Sequence, residues 1–165
     1  MNTLVLGVGN PLLKDDGAGV HAAAQLKAAM GERESLQVLD AGTLGFALLP
    51  EVQRCGALII IDAAREDLAP GTVTVREGAA MDGFVRRRGR SVHEVGVADL
   101  LDMARLSGRL PVRRALIAIE PAEIDWGIDC TPAVASALPI AVARVHELLA
   151  RWRARVSADE VEHVA

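Results

Sequence analysis

The chain has 165 residues and a formal charge of −4; 51% of it is hydrophobic, yet it holds only two Phe, two Trp and no Tyr. That length suits one domain with an aliphatic core and is short for two. The acidic balance disfavours nucleic acid, whose binding needs a concentrated cationic face, and Cys55 and Cys130 form neither a CxxC pair nor a disulfide framework, which fits a reducing cytoplasm. The opening residues lack the form of a secretory signal, and no segment reads as a bilayer span. The expectation is a cytoplasmic monomer with one domain over residues 1–156 and a polar tail over 157–165.

Thr3-Leu4-Val5-Leu6 is a short β-rich run closed by Gly7 and Gly9, followed by an Ala-rich helical segment from about Asp16 to Met30. The pattern recurs, with Leu36–Leu39 leading to Asp40 and a short helix near Phe46 to Arg54. Ala57–Ile61 then leads to Asp62. Apolar strands interleaved with helices predict a largely parallel sheet covered on both faces. Gly71–Arg76 comes too soon for a helical crossover and should return antiparallel at an edge. A long loop is expected from about Glu77 to Arg90, carrying the run Arg86-Arg87-Arg88-Gly89-Arg90, which can meet an acidic partner or simply be solvated.

Ser91 and Glu94 make a capping-box pair, and Val97, Leu100, Leu101 and Ala104 form the apolar stripe of the next helix. Ala115–Ile119 is the fifth strand. Val134, Leu138, Ala141, Val145, Leu148, Trp152 and Val156 then describe one long amphipathic helix, with a kink or late start at Pro139. The predicted fold class is α/β: a single-domain three-layer sandwich around a five-stranded, mostly parallel mixed sheet with helices on both faces.

In such sheets ligands collect outside the carboxyl ends of the strands, where Asp15/Asp16, Asp40 and Asp62 are expected to converge. The loop after the antiparallel strand must return to that edge, which delivers His93 to the carboxylates. In the first turn of a helix the dipole disfavours imidazolium, and a neutral ring can ligate metal. Oxygen and nitrogen ligands suit zinc, manganese, iron or nickel. Each residue also has a plain role open to it: Asp15 and Asp16 as helix caps, Asp62 as a turn former, His93 as a solvated first-turn residue. Gly7-Val8-Gly9 lacks the third glycine of a dinucleotide fingerprint. His21 and His146 read as helix-surface or structural residues, and Cys55 and Cys130 have no nucleophile motif around them.

The phrases Gly7-Val8-Gly9-Asn10 with Asp15-Asp16-Gly17, Asp40-Ala41-Gly42-Thr43-Leu44-Gly45, Ile61-Asp62-Ala63, and Ser91-Val92-His93-Glu94-Val95-Gly96 together resemble the nickel-iron hydrogenase maturation endopeptidases. Ile119-Glu120-Pro121 and Trp126-Gly127 share the likeness, which spans roughly residues 1–150. The resemblance implies an endopeptidase that removes the C-terminal extension of the hydrogenase large-subunit precursor once nickel is in place. It implies Asp16, Asp62 and His93 as catalytic and nickel-binding residues, with nickel supplied by the precursor. Asp40, Gly42 and Thr43 would recognise the substrate. Some members carry Glu where this chain has Asp16, so Asp15 stays in view as an alternative ligand. Two other readings are a noncatalytic nickel-binding chaperone and a peptidyl-tRNA hydrolase, whose opening resembles Gly7 to Pro11; the acidic pair after it and the lack of a basic face count against the latter.

Overall fold

A computed structural model describes residues 2–31, 35–42, 46–88 and 95–162. Its strands are β1 (Thr3–Val8), β2 (Leu36–Gly42), β3 (Ala57–Ala63), β4 (Val73–Glu77) and β5 (Arg113–Ile119); its helices are α1 (Ala18–Met30), α2 (Leu49–Arg54), α3 (Gly78–Arg88), α4 (Val95–Leu106) and α5 (Pro132–Glu162). The strands form one sheet in the order β2-β1-β3-β5-β4. Among the described strands, only the edge strand β4 is antiparallel, to β5.

Alternation along the strands creates two cores. Val5, Ile59, Ile61, Ile117 and Ile119 face α1 and α5, where Leu26, Val145 and Trp152 close the layer. Leu4, Leu6, Leu58, Ile60 and Leu116 face the other way, onto Val52, Met81, Phe84, Leu100 and Leu101 of α2, α3 and α4. Both faces of the central strands are therefore apolar, which is why they read in sequence as unbroken hydrophobic runs. The three-layer α/β arrangement is the one expected.

Three local expectations need correcting. The segment from Glu77 to Arg90 is mostly helix, because α3 occupies Gly78–Arg88. Its two glycines are poor helix signals, but Met81, Phe84 and Val85 recur at helical spacing and are buried on the sheet, so packing overrides the glycines. Pro139 neither ends nor delays α5, which runs through it to Glu162; Pro139 is exposed, so the backbone carbonyl it leaves without a helical donor can be hydrated. By length and composition, Pro132–Arg155 is also apolar enough to cross a bilayer. Val134, Ala141, Val145, Leu148 and Trp152 are instead buried against the sheet, as in a core helix.

An ionic cluster ties α3 to its neighbours. Asp82 accepts from Arg114 Nε (2.8 Å) and Nη2 (2.7 Å) on β5 and from Arg105 Nη2 (2.8 Å) on α4. The Arg114 hydrogen bonds hold the Asp82 carboxyl below the usual carboxylate range, with further pull from the charges of Arg114 and Arg105. A depressed folded value contributes stability that is complete above about pH 4 and is lost as pH falls through it. Asp82→Asn is therefore expected to cost about 3 kcal/mol near neutrality, with the gap from wild type closing toward acid. Urea unfolding at neutral pH and near pH 3 reads this; a gap of constant size would contradict the assignment.

Candidate active site

In the order β2-β1-β3-β5-β4 the chain leaves β1 toward β2 and leaves β3 toward β5 and β4, so the two connections part in opposite directions and open a crevice at the carboxyl ends of β1 and β3. Asp16 and Asp62 both line it, together with Gly9, Ala41 and Gly42. Its apolar wall is made by Val8, Leu48, Phe84, Val85 and Val97. Among the described residues, two carboxylates thus share a cleft whose other lining side chains are largely hydrocarbon, the composition of a ligand site with a few placed polar groups.

Asp16 lies in a 3-10 turn, Lys14–Gly17, ahead of α1. It does not cap the helix; its Oδ2 accepts from the backbone N–H of Asn10 at 2.9 Å. That bond engages one carboxylate oxygen only. The loop closes this tightly because Gly9 has φ 126°, and a Cβ there would stand 1.8 Å from the Asp16 carbonyl oxygen. Gly19 serves α1 in the same way: a Cβ would meet the carbonyl oxygens of Ile61 and Val8 at 2.1 and 2.3 Å, so the helix is seated directly on the ends of the two strands that bear the site.

Asp62 is the penultimate residue of β3, half-buried and in register with Ala118 of β5. Asp40 is exposed near the end of β2, and its Oδ1 accepts from the Gly42 N–H at 2.8 Å. That side-chain turn shapes Gly42 (φ 47°), which reaches the cleft, while Asp40 itself is not among the cleft-lining residues. Thr43 and the phrase Ser91-Val92-His93-Glu94 lie outside the described residues. Among the described residues no trio of His, Cys, Asp or Glu is placed to hold a metal, so a three-residue site would draw its third ligand from elsewhere.

Asp15, kept in view as an alternative ligand, is corrected to a structural anchor. It is fully buried, and its carboxylate accepts four hydrogen bonds: from the N–H groups of Ala122 (2.9 Å), Glu123 (2.9 Å) and Thr131 (2.7 Å) and from Thr131 Oγ1 (2.9 Å). Asp15 is not among the cleft-lining residues. Its neighbour Lys14 adopts φ 47°, held there by its N–H to the Gly127 carbonyl (2.7 Å) and its Nζ on Glu123 (2.6 Å). The loop from β5 to α5 therefore braces the turn that presents Asp16. Sequence carried no signal for this, since the partners are more than 100 residues apart.

The remaining candidates settle into ordinary roles. Arg86 sits on α3 and pairs with Asp102 at 2.9 Å, which removes it from a free basic loop. Burial pushes the Cys55 thiol up to about 11, and burial likewise raises Cys130, so neither is poised as a thiolate near neutrality. His146 is exposed on α5, and His21 on α1 is half-buried. Missed by sequence reasoning was the support of the cleft wall: Arg76 stacks 4.0 Å over the Phe84 ring while pairing with Glu66. The Glu66 N–H is in turn held by the buried Glu120 at 2.6 Å.

Known proteins share this fold and much of this sequence. The family model described as hydrogenase maturation protease matches residues 20–148. The chain is 34% identical over 155 residues to the hydrogenase expression/formation protein HupD of Rhodobacter capsulatus, covering 93% of this chain and 74% of that one. It is 32% identical over 146 residues to the hydrogenase 2 maturation protease of Escherichia coli, covering 88% of each. Superposed on the E. coli hydrogenase maturating endopeptidase HybD it reaches a TM-score of 0.86 at 32% identity, over 92% of this chain and 93% of the other. A family model covering most of the chain, relatives aligned along nearly its whole length, and a common fold lead to one assignment: this chain belongs to the hydrogenase maturation protease family.

Proposed function

We propose that this protease removes the C-terminal extension of a nickel-iron hydrogenase large-subunit precursor after nickel insertion, and that it recognises nickel carried by the precursor. The observation that supports the reading is the presence of Asp16 and Asp62 in one cleft at the β1/β3 crevice, with His93 as the expected third ligand. Two hard oxygen donors and an imidazole suit a divalent transition metal presented from outside. Nickel so held supplies Lewis acidity, either polarising the scissile carbonyl or activating a water.

The protein's own residues position rather than assemble. The Asn10 N–H orients Asp16 through Oδ2, and the anchored Asp15 loop keeps that turn from yielding to the substrate. A carboxylate not engaged with metal can take the proton of the attacking water. Asp40 at the rim, with Gly42 and Thr43, would contact the precursor, where charge governs encounter and selectivity more than raw affinity.

The test is to incubate the purified protein with nickel-loaded and with verified metal-free precursor and read the C-terminal mass. Loaded precursor is expected to be cut at least ~10²-fold faster, since a metal contributes several kcal/mol of transition-state stabilisation. Equal rates would remove nickel recognition while leaving a protease. Tight binding of loaded precursor with no cleavage would favour a noncatalytic nickel-binding chaperone. The peptidyl-tRNA hydrolase reading gains nothing from the family match.

A further inference from the structure

Four of the large exposed apolar residues lie on two short segments that are hydrogen-bonded to each other. Leu12 (53% exposed) precedes the Asp16 turn, and Ile124 (42%), Trp126 (77%) and Ile128 (65%) lie in the loop between β5 and α5. The segments meet in a small ladder: Gly127 N–H to Leu12 O at 3.0 Å, Lys14 N–H to Gly127 O at 2.7 Å, and a bridge between Leu13 and Gly127. Beneath them the buried Asp15 carboxylate collects its four hydrogen bonds.

Exposed loops of this kind usually carry polar residues and move. Here a fully buried charge is used to hold fixed a loop whose surface is Trp and Ile. Rigid presentation of large apolar groups lowers the entropy lost when a partner docks, and exposed clusters of such groups mark interaction sites. Trp is the residue that most often dominates a protein interface. Asp125 and Asp129 flank Trp126 and Ile128, so the partner face that fits is an apolar hollow with basic groups at its rim.

We propose that Leu12, Ile124, Trp126 and Ile128 form a docking surface for the body of the protein substrate, separate from the cleft that receives the bond to be cut. Continuity identifies the occupant. A protease cleft is a protein interface by its activity, and the docking loop is braced against the same turn that carries Asp16, so a folded substrate whose chain reaches Asp16 lies against this surface as well. Contacts remote from the reacting bond let an endopeptidase choose one protein among many exposed chain ends. The proposal rests on the precursor being the substrate, and it is independent of nickel.

The experiment compares wild type, Trp126→Ala and Ile128→Ala, with Val112→Ala as control, in binding to the hydrogenase large-subunit precursor with its extension. Val112 is 86% exposed and lies just before β5, at the opposite edge of the sheet from the cleft. All three side chains are solvent-exposed, so the folds should persist, with circular dichroism as the check. Trp126→Ala should raise Kd for the metal-free precursor, and KM for the loaded one, by about 10-fold or more, and Ile128→Ala by a smaller factor. Val112→Ala should leave both within about 2-fold. If wild type binds the precursor through Trp126 but does not cut it, the docking surface stands and the proposed hydrolysis fails. Wild-type affinity in Trp126→Ala, an equal loss in Val112→Ala, or no precursor binding by wild type overturns the docking surface. So does a wild-type dimer in sedimentation velocity that Trp126→Ala dissolves, since the surface would then serve a second copy of the chain.

Discussion

Asp62→Asn and Asp16→Asn are each expected to lower kcat/KM for the nickel-loaded precursor by about 10²-fold or more, with little change in thermal stability. Asp62 is half-buried at the end of β3 and Asp16 is half-buried in the turn after β1, so neither is part of the packed core. Asparagine keeps the volume and removes the charge. At Asp16 the consequence is directional: the amide oxygen can still accept from the Asn10 N–H, which turns the NH2 group toward the place a metal would occupy. An NH2 group repels a cation and cannot accept a proton. His93→Ala is expected to fall with them, and Asp16→Glu, which restores the charge with a longer reach, to recover part of the rate. Steady-state kinetics with circular dichroism on each variant decides it. If all the folded neutral variants process loaded precursor at the wild-type rate, these residues do not form the site.

Asp15→Asn should cost at least as much stability as any other substitution named above. The carboxylate sits at 0% exposure and every partner points a hydrogen at it. An amide cannot satisfy that set in either orientation. With Nδ2 in place of Oδ1 it faces the Thr131 N–H; with Nδ2 in place of Oδ2 it faces the N–H groups of Ala122 and Glu123. At least one buried donor is left unpaired against another donor, at about 1–3 kcal/mol for each group affected and more where the lost acceptor was charged. A total of ~3 kcal/mol or more is a large part of the stability of a domain this size. Because the same carboxylate braces the turn that bears Asp16, processing should fall together with stability. Chemical denaturation gives the first quantity and precursor cleavage the second. An Asp15→Asn variant as stable as wild type would show that the four hydrogen bonds do not hold the loop.

Legible in the chain was whatever depends on neighbours in sequence. The strands announced themselves because a residue buried on both faces of a sheet has no polar alternative, hence Ala57–Ile61 and Ala115–Ile119 as continuous apolar runs. The position of β4 at an edge could be read from the short connection before it. Asp16 and Asp62 were locatable because parallel strands deliver the residues after them to one edge, and the structure does bring these two into a single cleft. His93 and Thr43 fall outside the described residues.

Tertiary structure alone decided the rest. Two glycines weaken the helical pattern of Gly78–Arg88, and the sheet beneath Met81, Phe84 and Val85 is what holds it as a helix. Asp15 and Asp16 are adjacent and chemically identical, and no local rule assigns one to the cleft and the other to the interior. The difference comes from Ala122, Glu123 and Thr131, donors brought from the far end of the chain once β5 lies beside β3. Local preference is written in short stretches of sequence, whereas the environment that divides a ligand from an anchor is made by contacts that exist only after folding.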